Sequence, residues 1–347
     1  MPTRELLLRF DRYSFVLLAF LIPLHKAAVP VLIALMLLRW LLAGEFLRIA
    51  RMLEVSRPRM YLLLFALFYV LHLVGMLGTS NLEAGWFDME VKLSLIIFPL
   101  IFLTLPRDTL EEEWGRRVLM AFVAGSGLSM LLSLGRAILV WHGSGDAAAF
   151  YYTRLSWFHH AGYMAMYLNF ATVICIYFLT REGHRRDRYL SAAGLGVIFF
   201  FMLCVVLLSS KAGILGMVVV LFMSMVYLIV RQRMLLKGIL WFLLSISVFY
   251  AMVLGMPYSM QRMERAAATV GGADQVKAST RESTGERLLV WQASWEVVSR
   301  NFLVGVGTGD VVDELVKVYK HRGITAAARD RLNTHNQLLQ TQATIPS

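Results

Sequence analysis

Residues 190–230 read LSAAGLGVIFFFMLCVVLLSSKAGILGMVVVLFMSMVYLIV, and Lys211 is the sole charged side chain among them. About twenty apolar residues in helical form match the hydrocarbon thickness of a bilayer, roughly 30 Å. The stretch holds two such runs, 190–209 and 212–230, with Ser209, Ser210 and Lys211 at the turn and almost no loop between them. It therefore reads as a pair of transmembrane helices.

Working outward, further apolar runs lie at about 13–24, 28–43, 60–77, 92–105, 117–141, 161–180 and 237–256. The expected fold is an all-α polytopic membrane protein of about nine transmembrane helices, followed by a largely helical extracytoplasmic segment. Composition agrees. Hydrophobic residues make up 58% and charged residues 16% of the 347 positions, against about 45–50% and 25% in soluble domains. The first run, Tyr13–Leu24, has no small-x-small cleavage site behind it, so it is expected to be a retained span. Pro99 inside the fourth run requires neighbouring helices to satisfy the freed carbonyl.

Charge sets the expected orientation. Basic residues crowd alternate loops: Arg4, Arg9 and Arg12; Arg48, Arg51, Arg57 and Arg59; Arg107, Arg116 and Arg117; Arg181, Arg185, Arg186 and Arg188; Arg231, Arg233 and Lys237. The loops between hold only Lys26, Lys92, Arg154 and Lys211. The positive-inside rule then puts the N-terminus in the cytoplasm, and nine spans put everything after about residue 255 outside. The formal charge of +11 is thus a topology signal, and nucleic acid is not an expected partner. Cys175 and Cys204 lie inside apolar runs and read as small buried residues rather than a disulfide pair.

The chain divides on this reading into a transmembrane bundle, residues 1–256, and an extracytoplasmic segment, residues 257–347. Residues 264–286 are polar and glycine-containing and read as a linker. Ser283 with Glu286 forms a capping-box signal for a helix over 286–300, with Leu288, Trp291, Ala293, Trp295 and Val298 on or near one face. The run GVGTGD, residues 305–310, reads as a turn in which Asp310 caps a helix over 311–321. A third short helix is expected from Leu332 to Gln340. The glycine run lacks the preceding strand and the Gly-Lys-Ser/Thr of a phosphate loop.

Three cations and a histidine fall on the expected outer face. Lys211 is confined to a tight turn between spans. Arg154 sits among Phe150, Tyr151, Tyr152, Trp157 and Phe158, ahead of His159 and His160. Arg287 occupies the first turn of a helix, where the macrodipole disfavours a cation. His335 is flanked by side-chain amides, Asn336 among them. Each has a plain reading, as a snorkelling anchor or part of an aromatic belt. Together they suit a lipid-linked diphosphate: arginine gives bidentate contacts to phosphate oxygens, and a neutral histidine can take a hydroxyl proton. No carboxylate cluster at metal-ligand spacing lies on that face, so neither a metal nor a cofactor is expected.

The segments SSKAGILG (209–216), GERLLVWQASWEVVSRNFLVGVGTGD (285–310) and LNTHNQLLQ (332–340) resemble the O-antigen ligase and O-antigen polymerase superfamily. The resemblance covers roughly the last 140 residues well and the earlier spans weakly. It implies a metal-independent, inverting glycosyltransferase of the bacterial inner membrane. The implied donor is an undecaprenyl-diphosphate-linked glycan used at the periplasmic face, and the implied acceptor a lipid A core or growing glycan, with membrane lipids as surroundings. By motif, Arg287 would hold the diphosphate and His335 would act as base, with Lys211, Arg154, His160 and Asn336 binding substrate. The family usually has Arg where Lys211 stands. Its members also continue beyond the HNQ motif into further spans, which are expected to be missing from this sequence. Ligase and polymerase share these motifs. A transporter is the rival of a different class, and nearly charge-free spans, with Arg136 the main exception, together with the lack of an internal repeat, speak against it.

Overall fold

The computed structural model describes residues 2–50, 54, 56–106, 108–181, 188–271, 283–302 and 305–344. Every regular element among them is helical. Six helices are long and apolar enough to cross a membrane: Arg59–Gly78, Glu112–Ser144, Ala161–Arg181, Tyr189–Leu207, Lys211–Val230 and Leu235–Leu254.

That number is smaller than the nine expected, and charge in one helix and short length in two account for the difference. Most of the run at 13–24 lies in the helix Pro2–Leu21, which carries Arg4, Glu5, Arg9, Asp11 and Arg12 ahead of it. The run at 28–43 becomes a helix of 15 residues, Ala28–Leu42. The run at 92–105 yields only 11 residues, Ser94–Thr104, with Pro99 inside. At 1.5 Å per residue these last two reach about 22 and 16 Å, short of the hydrocarbon thickness.

The chain forms two compact units. The first comprises residues 1–36 and 106–264, the second residues 37–105 and 265–347.

In the first unit, small residues bring the helices close, as they must where lipid tails are as apolar as leucine. A Cβ on Gly125 would stand 2.2 Å from the Phe20 carbonyl oxygen, so the Pro2–Leu21 helix crosses Glu112–Ser144 in backbone contact there. A Cβ on Gly213 would lie 2.4 Å from the Ala165 methyl, and Asn169 donates from Nδ2 to the Gly213 carbonyl at 3.0 Å. Leu155, Met164, Leu168, Phe201, Met217 and Leu221 fill the centre. Leu139, Leu215 and Leu244 stay exposed, as lipid-facing side chains of a bilayer protein do.

The second unit has its own core outside the spans, built on Val290, Ala293, Val297, Leu315, Tyr319 and Ile324. The helices around this core run Ser283–Arg300, Val311–His321, Thr325–Arg329 and Gln337–Thr344. Residues 264–271 belong to a helix, Pro257–Gly271, rather than to the linker read there; residues 272–282 lie outside the described residues. The side chains of Ser283–Arg300 divide between the core and the surface. Val290, Ala293, Ser294, Val297 and Val298 face the core, whereas Trp291 and Trp295 are 38% and 63% exposed. The helical period of 3.6 admits either stripe, and the smaller side chains allow the closer packing.

Candidate active site on the second unit

Two positions in the turn between Thr325–Arg329 and Gln337–Thr344 have left-handed backbones although neither is glycine: Arg331 at φ 47° and His335 at φ 47°. Such a conformation costs an L-residue about 1–2 kcal/mol and persists only where neighbours impose it. Several do. Tyr319, fully buried, donates its hydroxyl to the Leu332 carbonyl at 3.1 Å, and Arg331 pairs with Asp313 at 2.5 Å. The His335 N–H donates to Asn333 Oδ1 at 3.1 Å. Buried Thr334 donates to the Asn336 carbonyl at 2.8 Å and accepts the Asn336 N–H at 3.2 Å. The imidazole of His335 is left exposed on a braced turn.

Arg287, in the first turns of Ser283–Arg300, is also exposed and lies near enough for its charge to act on His335. Loss of hydration within the turn, and secondarily the Arg287 charge, hold the imidazole below its ordinary value of 6.5. His335 is therefore neutral at pH 7, the form with a free lone pair for a proton. Asn336 accepts the Leu338 N–H on its Oδ1 at 3.0 Å and so caps the last helix.

The segment GVGTGD fastens this unit together. Thr308 donates its hydroxyl to the His72 carbonyl at 2.6 Å, and its N–H to Gly75 at 3.1 Å. Asp310 leaves its own helix without a side-chain cap, contrary to the sequence expectation. Its carboxylate instead accepts the N–H groups of Ser80 and Asn81 at 2.6 and 2.7 Å. A Cβ on Gly309 would come within 2.1 Å of the Asn81 carbonyl oxygen, so only glycine fits there. Asn81 extends the network, donating to Asp313 at 2.8 Å. These links join residues more than 220 positions apart in the chain, and no local sequence signal announces them.

The other three expected site residues belong to the first unit. Lys211 opens the helix Lys211–Val230 behind the cap Ser210. Arg154 forms an ion pair with Asp146, whose carboxyl is held below its usual range by the Ala148 N–H and then by Arg154. His160 accepts the Gly162 N–H at 3.2 Å and stands edge-on to Tyr152. No group of three or more His, Cys, Asp or Glu side chains able to hold a metal ion occurs among the described residues.

Fold and site together define an all-helical membrane protein that carries a braced Arg/His pair on a helical segment outside its spans. Residues 196–345, a little under half of the chain, match the family model described as O-antigen ligase. The matched region takes in Lys211, Arg287, His335 and Asn336 and leaves out Arg154 and His160. No curated protein and no solved structure matches the chain.

Proposed function

We propose that this protein transfers a glycan from a polyprenyl-diphosphate-linked donor to an acceptor hydroxyl at the periplasmic face of the bacterial inner membrane. The acceptor would be a lipid A core sugar or a growing glycan. One observation carries the reading: Arg287, on a helix, and exposed, neutral His335, on a turn held in a strained conformation, belong to one unit. The O-antigen ligase match across the same residues supports it.

In the proposed step the acceptor oxygen attacks the anomeric carbon and its proton passes to the unprotonated ring nitrogen of His335. The bond from that carbon to the diphosphate oxygen breaks, and the diphosphate leaves with the electron pair. Arg287 stabilises the departing charge. A single displacement inverts the anomeric configuration. The step needs no metal, so a chelator should leave the rate unchanged. Lys211, Arg154 and His160 belong to the other unit, and the proposed chemistry is carried by Arg287 and His335.

The test is glycan transfer by His335→Ala and Arg287→Ala variants that reach the membrane at normal level. Loss of transfer in both supports the proposal, and normal transfer in both removes it. Ligase and polymerase separate by what accumulates in cells carrying the inactive variant. Lipid-linked polymer indicates a missing ligase; single repeats on the core indicate a missing polymerase.

A further inference from the structure

Trp291 and Trp295 lie one turn apart on Ser283–Arg300 and point away from the core of the second unit. Neither indole makes a hydrogen bond or ring contact among the described residues. Exposed Arg287 stands one turn ahead of them. At 3.6 residues per turn, positions 287, 291 and 295 follow one another along a single stripe, flanked by exposed Gln292 and Ser299. The stripe itself carries no acid. The nearby Glu296 is bound by Arg300 and, at 2.7 Å, by Arg322, so those three side chains leave a net positive charge.

The same unit contains a membrane-length helix of its own, Arg59–Gly78. The last turns of that helix take both hydrogen bonds of Thr308, at the His72 and Gly75 carbonyls. Just beyond it, the Ser80 and Asn81 N–H groups hold Asp310. The segment GVGTGD thus ties Val311–His321 to the end of a span. Val290, Ala293 and Val297 of Ser283–Arg300 share one core with Leu315 and Tyr319 of that tied helix. Packed helices lie about 8–10 Å apart, so Ser283–Arg300 is kept close to the level at which a bilayer around Arg59–Gly78 ends. The chain at and past the span end also exposes Leu77, Leu82, Trp86 and Phe87, side chains suited to the boundary between hydrocarbon and headgroups.

We infer that the Arg287–Trp291–Trp295 stripe docks on the surface of the membrane that this unit's own span crosses. Tryptophan concentrates at that surface because its ring is apolar and its N–H can reach headgroup oxygens and water. The positive charge beside the indoles complements anionic headgroups. An aromatic stripe with basic side chains, on a helix whose other face is packed, is the makeup of a helix lying in the interface. Docking holds the Arg287 guanidinium at headgroup depth, where lipid phosphates lie. That consequence bears on the diphosphate proposed for Arg287, and only there does it rest on the proposed donor; the docking itself needs no glycan.

The full-length protein is labelled with fluorotryptophan and placed in nanodiscs of phosphatidylcholine and phosphatidylglycerol. The fluorine NMR signals of Trp291 and Trp295 are assigned by their disappearance in Trp291→Phe and Trp295→Phe. Relaxation of each signal is then measured with a lipid carrying a nitroxide near its carbonyls, and separately with a water-soluble gadolinium chelate. Both signals should be relaxed several times more by the lipid nitroxide than by the chelate. Stronger relaxation by the chelate at either indole overturns the docking and places the stripe in water. Relaxation by neither also overturns it, since it marks a face covered by protein, whether a second copy or another chain. Should a Phe variant fail to fold, the unaltered protein decides: a photoactivatable phosphatidylcholine should crosslink to the peptide holding Trp291 and Trp295, and the lack of an adduct there overturns the docking. Indoles in water with transfer lost in His335→Ala would reject the docking and leave the proposed function standing. Docked indoles with normal transfer in both His335→Ala and Arg287→Ala would do the reverse.

Discussion

Replacing Asp310 tests whether GVGTGD is the fastening of the second unit. Its carboxylate accepts two backbone N–H groups at 2.6 and 2.7 Å and is 8% exposed. A hydrogen bond to a charged group contributes about 1.5–3 kcal/mol net, and burial limits replacement by water. Asp310→Ala removes both acceptors, so the local loss should be about 3 kcal/mol or more. Asp310→Asn keeps one acceptor oxygen and puts an N–H₂ group against the other donor, so it should lose at least half as much. The direct assay is hydrogen exchange in nanodiscs, read on a peptide covering residues 79–85. At 1.4 kcal/mol per factor of ten, the Ser80 and Asn81 amides should exchange roughly a hundredfold faster in Asp310→Ala, and amides of the Lys211–Val230 helix should not change. Unaltered exchange at Ser80 and Asn81 would refute the reasoning, because it would mean the carboxylate does not hold that turn.

Other outcomes follow from particular contacts. Activity should fall on acidification as His335 takes up a proton, with its midpoint below 6.5 because the folded turn disfavours the charged ring. Arg287→Gln removes a positive neighbour and should move the midpoint in any residual activity to higher pH; a shift downward would contradict the pairing. Tyr319→Phe leaves the Leu332 carbonyl without its donor and should lower the melting temperature by an amount equivalent to about 1 kcal/mol, with a larger proportional loss of transfer, measured side by side. Gly125→Leu sets a side chain where even a Cβ stands 2.2 Å from the Phe20 carbonyl; detergent-solubilised protein should show a sharply lower yield of the folded form by size exclusion.

The long apolar runs are the part of the fold that sequence reads well. Runs at 60–77, 117–141, 161–180, 190–209, 212–230 and 237–256 each correspond to one of the six membrane-length helices, because a bilayer demands length and apolarity and both are local properties. Runs at 28–43 and 92–105 give helices of 15 and 11 residues and the run at 13–24 joins a charged helix, so these three are not among the six. The helix over 311–321 appears at the expected residues, Val311–His321. On Ser283–Arg300 the core takes up Ala293 and Val297 and leaves the Trp291 and Trp295 indoles outside, a division that helical spacing alone does not settle.

The site divides in a similar way. Arg287 and His335 are conspicuous in the sequence, one as a cation at a helix start and the other among amides. The structure adds that the Arg287 charge bears on His335 and that the turn beneath His335 is strained. Asp310 and Thr308 owe their positions to partners more than 200 residues away, so periodicity and spacing have nothing to say of them. For Asp310 a faint sign exists, since an acid after a glycine run suggests a cap; the group it caps is simply in another segment.

The most direct measurement of the central claim is glycan transfer in a purified system. The protein in liposomes is given an undecaprenyl-diphosphate-linked glycan and a lipid A core acceptor, and product is followed by gel and mass spectrometry beside His335→Ala and Arg287→Ala. The expected result is a glycan joined to the acceptor by the unaltered protein and none by either variant, with all three proteins folded. Product formed by both variants at the rate of the unaltered protein would contradict the account.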